Sequence, residues 1–301
     1  MLVIEKAWAK VFGSYQRIEG GSAGEALYPL TGSPQTQFYH DEITDLDGFW
    51  ERLYASDRKK MPMCCCTYSQ ADNQVTRRQI QEAGLQDCHA YSLIGAKIVT
   101  NADLVEHRLL KIRNPYGMKE WNGDWSDKSR KWTVKTREQV NCEDREDGCF
   151  FISLEDFIKF FTRTTICYYV DNYEDNFVVD QHEVGQWAMV KFTLERDNPN
   201  PLCLSVDQIS ERFLDRARDG GYLAPPIRLI LTKLQSQIEQ QTQEVTFRQC
   251  FVNGDAINQE SHLTVALIDG LKKGVYVALF QVGFTELNKE RKLVFSVYCA
   301  Q

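Results

Sequence analysis

Residues 1–170 predict an α+β domain and residues 185–301 an all-β antiparallel sandwich, with 171–184 as a linker. Three observations support this. Apolar residues at helical spacing alternate with strand-like runs up to about residue 170. Beyond it, nearly every apolar run is short and bounded by polar turns, the signature of a sandwich. A length of 301 residues, at roughly 100–200 per domain, also suits two domains.

The elements follow in order. Ile4, Trp8, Val11, Phe12 and Tyr15 recur at spacings of three and four, so the chain opens on a helix, ended by Gly20-Gly21. Asp45 is a good N-cap for a second helix through Phe49, Leu53 and Tyr54. Met61–Tyr68, Ala90–Val99 and Arg108–Arg113 read as strands. Ser153-Leu154-Glu155-Asp156 has the spacing of a capping box and opens an apolar helix through Phe157, Phe160 and Phe161. Thr164–Val170 is the next strand. Asp171–Glu183 is acidic and has few apolar anchors, hence the linker. Strands are then expected at Gln186–Leu194, Ile227–Leu234, Glu244–Phe251, His262–Ile268, Val275–Phe284 and Lys292–Cys299, with Asn253-Gly254 and Asp269-Gly270 as turns.

Composition narrows the function. The formal charge of −7 leaves no basic surplus to neutralise phosphates, which argues against nucleic-acid binding. The only apolar run near the start is Leu2-Val3-Ile4, too short for a signal-peptide core, and no stretch approaches the ~18 apolar residues of a membrane span. Ten cysteines without a CxxC pair read as reduced thiols, so a cytoplasmic protein is expected.

The chemistry-bearing stretch is Cys88-His89-Ala90-Tyr91-Ser92-Leu93, followed by Leu110-Lys111-Ile112-Arg113-Asn114-Pro115-Tyr116-Gly117. One strand delivers a histidine and the next an asparagine. A histidine can act as general base when something fixes its tautomer, and an asparagine carbonyl accepts the imidazole N–H without adding charge. Pro115 favours an extended Asn114, and Tyr116 or a nearby tryptophan can shield the bond from water. This is the orienting half of a Cys-His-Asn site, in which the imidazole takes a proton from a thiol. Residue types alone leave a second reading open, a packed structural histidine.

Resemblance adds to this. HAYSLIGA and LLKIRNPYGMKEWNGDWSD resemble the His and Asn segments of the calpain family of cysteine proteases. EKAWAKVFGSYQRIEGGSAGEAL resembles the start of that family's second protease subdomain, and EDGCFFISLEDFIKFFT its end. The matches cover about residues 3–168 in order. The resemblance implies half of a papain-like core over 1–170, with His89 as general base and Asn114 as its orienter. It also implies a C2-like sandwich over 185–301, though that segment has no clustered aspartate loop of the kind a calcium-dependent C2 domain needs. Carried over by position, a calcium site would use Glu120, Asp127, Asp147 and the backbone carbonyl of Arg145; hard oxygen ligands suit that ion. The other reading of these residues is a solvated acidic face.

The sequence departs from the family at several points. The nucleophile, carried in calpains on a QGxCW-type segment of the first subdomain, is absent. Cys88 is next to His89, but adjacent strand residues point to opposite faces, so it is not expected to pair with it. Cys64-Cys65-Cys66 lie in a strand and read as small hydrophobes, as do Cys167, Cys203, Cys250 and Cys299 in apolar stretches. Cys142 and Cys149 flank acidic residues, which disfavour the thiolate. Cys88 replaces the family's glycine at the cleft wall, where a side chain can obstruct the substrate backbone. Tyr116 replaces a tryptophan on the same wall, and Cys149 a calcium-binding glutamate. His40, His107, His182 and His262 read as surface or turn residues, and the six tryptophans as core or wall.

Two functions are therefore expected. One is the C-terminal part of a calpain-like endopeptidase acting on protein substrates, inactive as this chain alone and completed by a separate Cys-bearing subdomain. The other is a calpain-like scaffold that binds a protein partner.

Overall fold

The computed structural model describes residues 2–68, 75–171, 173–183, 186–198, 202–208, 227–235, 246–254, 262–267, 270–283 and 290–300. By contacts, Ser22–Tyr169 form one unit; Met1–Gly21 and Val170–Gln301 form the other.

The Ser22–Tyr169 unit is built on a six-stranded antiparallel sheet of order β1-β6-β2-β3-β4-β5. The strands are β1 (Gln35–Tyr39), β2 (Met63–Thr67), β3 (Ala90–Thr100), β4 (Glu106–Arg113), β5 (Cys149–Ser153) and β6 (Phe161–Cys167). One face is closed by the predicted helix α3 (Leu46–Arg58), capped by Asp45, whose carboxylate accepts the Gly48 N–H at 2.9 Å. Trp50 and Leu53 on that helix are fully buried, because their spacing puts them on one stripe. Helix α6 (Leu154–Phe160) starts at Ser153 as expected, with Phe161 already the first residue of β6. A second apolar cluster joins Val99, Leu109, Trp125, Trp132, Val140 and Phe151.

Three short helices escaped the sequence reading: α2 (Ala23–Thr31), α4 (Arg77–Glu82) and α5 (Val134–Val140). Their apolar stripes are too short to show a period; α4 buries only Ile80. His40 corrects the expectation of a surface residue. It is 4% exposed, with Nδ1 2.7 Å from the Phe161 carbonyl oxygen and Nε2 2.8 Å from Thr164 Oγ1. His107 lies within β4, 5.0 Å from the Trp125 ring, rather than in a turn.

In the second unit, α1 (Leu2–Phe12) ends at Gly13, whose φ of 96° leaves the helical region. Tyr15 therefore falls outside the helix. Ile4 and Val11 are more than half exposed, and the buried residues are Ala9 and Phe12. The β-sandwich has two four-stranded antiparallel sheets, β11-β10-β13-β8 and β12-β9-β14-β7. The strands are β7 (Tyr173–Glu183), β8 (Trp187–Leu194), β9 (Leu202–Asp207), β10 (Ile227–Gln235), β11 (Thr246–Gly254), β12 (His262–Leu267), β13 (Gly274–Val282) and β14 (Glu290–Ala300). Alternate residues from both sheets fill the core, among them Leu204, Leu229, Phe280 and Phe295. The Phe280 and Phe295 rings stack with centroids 5.5 Å apart.

Two readings change here. The stretch 171–184, read as a linker, carries β7, which pairs with β14 along its whole length. Its outward residues Phe177 and Val179 are more than half exposed, so an edge strand lacks the buried alternation that marks inner strands. Asn253 and Gly254, read as a turn, are paired within the ladder opposite Ile230 and Leu229. Asp269 lies outside the described residues, while Gly270 has the left-handed φ of 67° a turn needs. Trp187, read as core or wall, is 48% exposed. Among the described residues, no helix is long and apolar enough to cross a membrane.

Candidate active site

Strands β3 and β4 pair with Ser92 opposite Arg113, so His89, just before β3, and Asn114, just after β4, emerge at the same end of one ladder. His89 Nε2 lies 3.0 Å from Asn114 Oδ1. The amide is oriented by its other end: Nδ2 donates to the carbonyls of Met118 at 2.6 Å and Lys119 at 3.2 Å. A nitrogen that donates twice to carbonyls leaves the oxygen facing the imidazole, so Nε2 carries the hydrogen and Nδ1 the lone pair. Asn114 Oδ1 also accepts the Tyr116 N–H at 3.1 Å, and the residue has no exposed surface.

The imidazole is held from both sides. Tyr91, itself buried, meets it edge-on with centroids 4.9 Å apart, and Tyr116 lies against it at 4.5 Å while staying 67% exposed. The backbone of His89 is gripped by Thr67 at the end of β2. The Thr67 N–H donates to the His89 carbonyl at 3.1 Å, and the His89 N–H donates to Thr67 Oγ1 at 3.1 Å. Thr67 Oγ1 in turn donates to the Gln86 carbonyl at 2.7 Å. The sequence reading missed Thr67 and Tyr91; a buried threonine at a strand end and a tyrosine in a core stripe carry no motif of their own.

Cys88 is exposed. It sits in a turn before β3 with φ of 51°, a left-handed conformation uncommon outside glycine. Among the described residues, no hydrogen bond joins His89 to a thiol. Burial pushes the Cys64 thiol up to about 11 and Cys65 well above the ordinary range. Burial, together with Asp147, takes Cys149 to about 11. These are poor thiolates.

The four residues expected to hold calcium are close in space and differently occupied. Glu120 Oε1 accepts the N–H groups of Asp147 at 3.0 Å and Gly148 at 2.7 Å. Asp127 Oδ2 accepts the Arg145 N–H at 3.2 Å, and Asp147 Oδ1 accepts the Cys149 N–H at 2.9 Å. The Arg145 carbonyl accepts the Asp147 N–H at 3.1 Å. Burial, with the charges of Glu120 and Asp144, lifts the Asp127 carboxyl to about 6 against the pull of the Arg145 N–H. A cavity of about 210 Å³ is lined by Asp127 and Asp147 together with Lys111 and Cys149, but not by Glu120. Each carboxylate keeps a second oxygen. Even so, among the described residues no three His, Cys, Asp or Glu side chains converge as a metal-binding group. As arranged, these residues do not fit a calcium ion, which needs six or more oxygens around it.

The family profile described as calpain family cysteine protease matches residues 1–168. Human calpain-14 is 34% identical over 168 residues, 55% of this chain and 23% of that protein. The mouse calpain-1 catalytic subunit is 37% identical over the same shares. Calpain clp-4 of Caenorhabditis elegans is 30% identical over 221 residues, 66% of this chain and 30% of that one. The chain thus spans 23% to 30% of the length of these relatives. A clostridial cysteine protease solved after propeptide cleavage is similar at a TM-score of 0.25 and 8% identity over 87% of this chain and 58% of that one, too weak to bear on the fold. With a family profile covering more than half of its length, the chain belongs to the calpain family of cysteine proteases.

Proposed function

We propose that this chain supplies the general-base half of a papain-like calpain protease core, followed by a C2-like sandwich, and that it has no peptidase activity by itself. The observation that carries the reading is the 3.0 Å contact between His89 Nε2 and Asn114 Oδ1, with the amide turned by Met118 and Lys119. In this reading His89 Nδ1 takes the proton of a thiol supplied by a Cys-bearing subdomain outside these residues. The thiolate attacks the peptide carbonyl, and the imidazolium returns the proton to the leaving amine. Asn114 keeps the ring in register throughout. Family membership is consistent with calcium regulation, but the reading places no calcium at Glu120, Asp127, Arg145 and Asp147.

The test is complementation. The 301-residue chain alone is expected to leave a fluorogenic peptide uncleaved. Joined to a Cys-bearing first subdomain from a calpain, it is expected to cleave the peptide, and His89→Ala to abolish this. Cleavage by the chain alone, lost in His89→Ala, overturns the proposal. Cys88 favours a second reading, a non-catalytic calpain-like scaffold, because a side chain stands where the family has glycine. Failure of the joined protein with either Cys88 or Cys88→Gly decides for the scaffold.

A further inference from the structure

We propose that Glu120 is a positioning residue for the His89–Asn114 pair, acting as an anionic clasp on the Asp147–Gly148 backbone rather than as a metal ligand. The inference rests on the reading of His89 as a general base.

The argument is a closed ring of hydrogen bonds. The Asn114 side chain donates to the carbonyl of Lys119, the residue before Glu120. The Glu120 carboxylate accepts two backbone N–H groups, from Asp147 and Gly148. The Gly148 carbonyl accepts the Asn114 N–H at 2.8 Å, which returns the ring to its start. Gly148 is buried with φ of 83°, and a Cβ there would come within 2.8 Å of the Asn114 backbone carbonyl oxygen and 2.9 Å of Gly117 Cα. The 148 peptide therefore rests directly on the turn that carries Asn114. A carboxylate accepting two N–H groups makes charge-assisted bonds, stronger than neutral ones, and it needs no cation to make them.

The same ring reaches the histidine. Lys119 Nζ donates to Gln86 Oε1 at 2.7 Å, and the Asn122 N–H donates to the Ala83 carbonyl at 3.1 Å. A Cβ on Gly84 would come within 2.1 Å of the Glu120 carbonyl oxygen. The segment 119–122 is thus seated on 83–86, and Gln86 is bonded through Thr67 to the His89 backbone. Glu120 sits where the supports of the two site residues meet.

The experiment uses the full 301-residue chain without calcium, reading backbone amide exchange and the imidazole ¹⁵N shifts of His89. The wild-type chain is expected to protect the Gly148 amide and to hold His89 mainly as the Nε2-protonated tautomer. Glu120→Ala is expected to speed Gly148 exchange by about tenfold or more and to mix the tautomers, while the Leu110 and Ile112 amides stay protected. Glu120→Gln keeps one accepting oxygen; it is expected to speed Gly148 exchange a few-fold and to retain the tautomer. If Glu120→Ala unfolds, Glu120→Gln decides, and wild-type Gly148 exchange in that variant overturns the proposal. Unchanged His89 shifts in a folded Glu120→Ala also overturn it. So does calcium binding by the wild-type chain that is lost in Glu120→Gln. A wild-type His89 in the opposite tautomer, with Gly148 protected through Glu120, would instead remove the general-base reading and leave the clasp in place.

Discussion

Asn114 is the most constrained polar side chain of the site. Its amide makes all four bonds it can make, two given and two accepted, with no exposed surface. A histidine before one strand and an asparagine after the next suggested the pair, and the family resemblance, not the spacing, singled it out over a packed structural histidine. The conformation of the neighbouring residue was not legible. Cys88 read as a strand residue pointing away from His89, whereas it occupies a left-handed turn at φ of 51°. A β-carbon in that region costs on the order of 1 kcal/mol, which glycine does not incur. Glycine in turn loosens the unfolded chain, which offsets part of the gain. Cys88→Gly is therefore expected to stabilise the protein by about 0.5 kcal/mol, read as a higher urea midpoint at unchanged slope. A lower midpoint would mean that the Cys88 side chain makes contacts worth more than its backbone strain.

At the scale of elements, the β5–α6–β6 passage shows what sequence can specify. Ser153 Oγ accepts the Asp156 N–H at 3.1 Å and donates to Asp156 Oδ2 at 3.0 Å, so the predicted cap forms but not the reciprocal half of the box, because the acid takes the hydroxyl rather than the Ser153 N–H. Leu154, Phe157 and Phe160 then fall on one buried stripe. A local signal and a periodic one agree, and the boundary was readable. Where only one was present it was not. Helix α4 has a full capping box, from Thr76 to Gln79, but one buried residue, and β7 has outward residues that stay in solvent. Helix α6 has seven residues, too few to form in isolation, so its cap and its buried face share the work of holding it. Ser153→Ala is expected to cost about 1 kcal/mol, and Ser153→Asp to recover most of it. Equilibrium denaturation of the three proteins measures this; equal stability of serine and alanine would show that tertiary packing alone holds the helix.

For the whole molecule, contacts place Met1–Gly21 with the C-terminal segment rather than with Ser22–Tyr169, and the fully buried sandwich core runs from Leu202 onward, with Ala188, Val190, Phe192 and Leu194 packed against it. The Ser22–Tyr169 unit carries its own sheet, its own apolar clusters and both site residues. Produced alone, that segment is expected to fold cooperatively and keep the His89–Asn114 bond. Its acid sensitivity follows from His40. Burial lowers this imidazole from 6.5 to about 4, against the opposing pull of the Phe161 carbonyl. The unfolded chain then binds the proton more readily than the folded one across that interval. Stability is complete above 6.5 and is lost as pH falls towards 4, by about 3 kcal/mol if the shift is fully expressed. His40→Asn keeps a donor and an acceptor but cannot titrate. It is expected to be less stable near neutrality, because a smaller side chain leaves space beside Phe49 and Phe157, yet to show a flatter stability profile between pH 6.5 and 4. Urea titrations of both segments across that range check the slopes. Parallel profiles would mean that other groups, not this buried imidazole, set the acid limit of the domain.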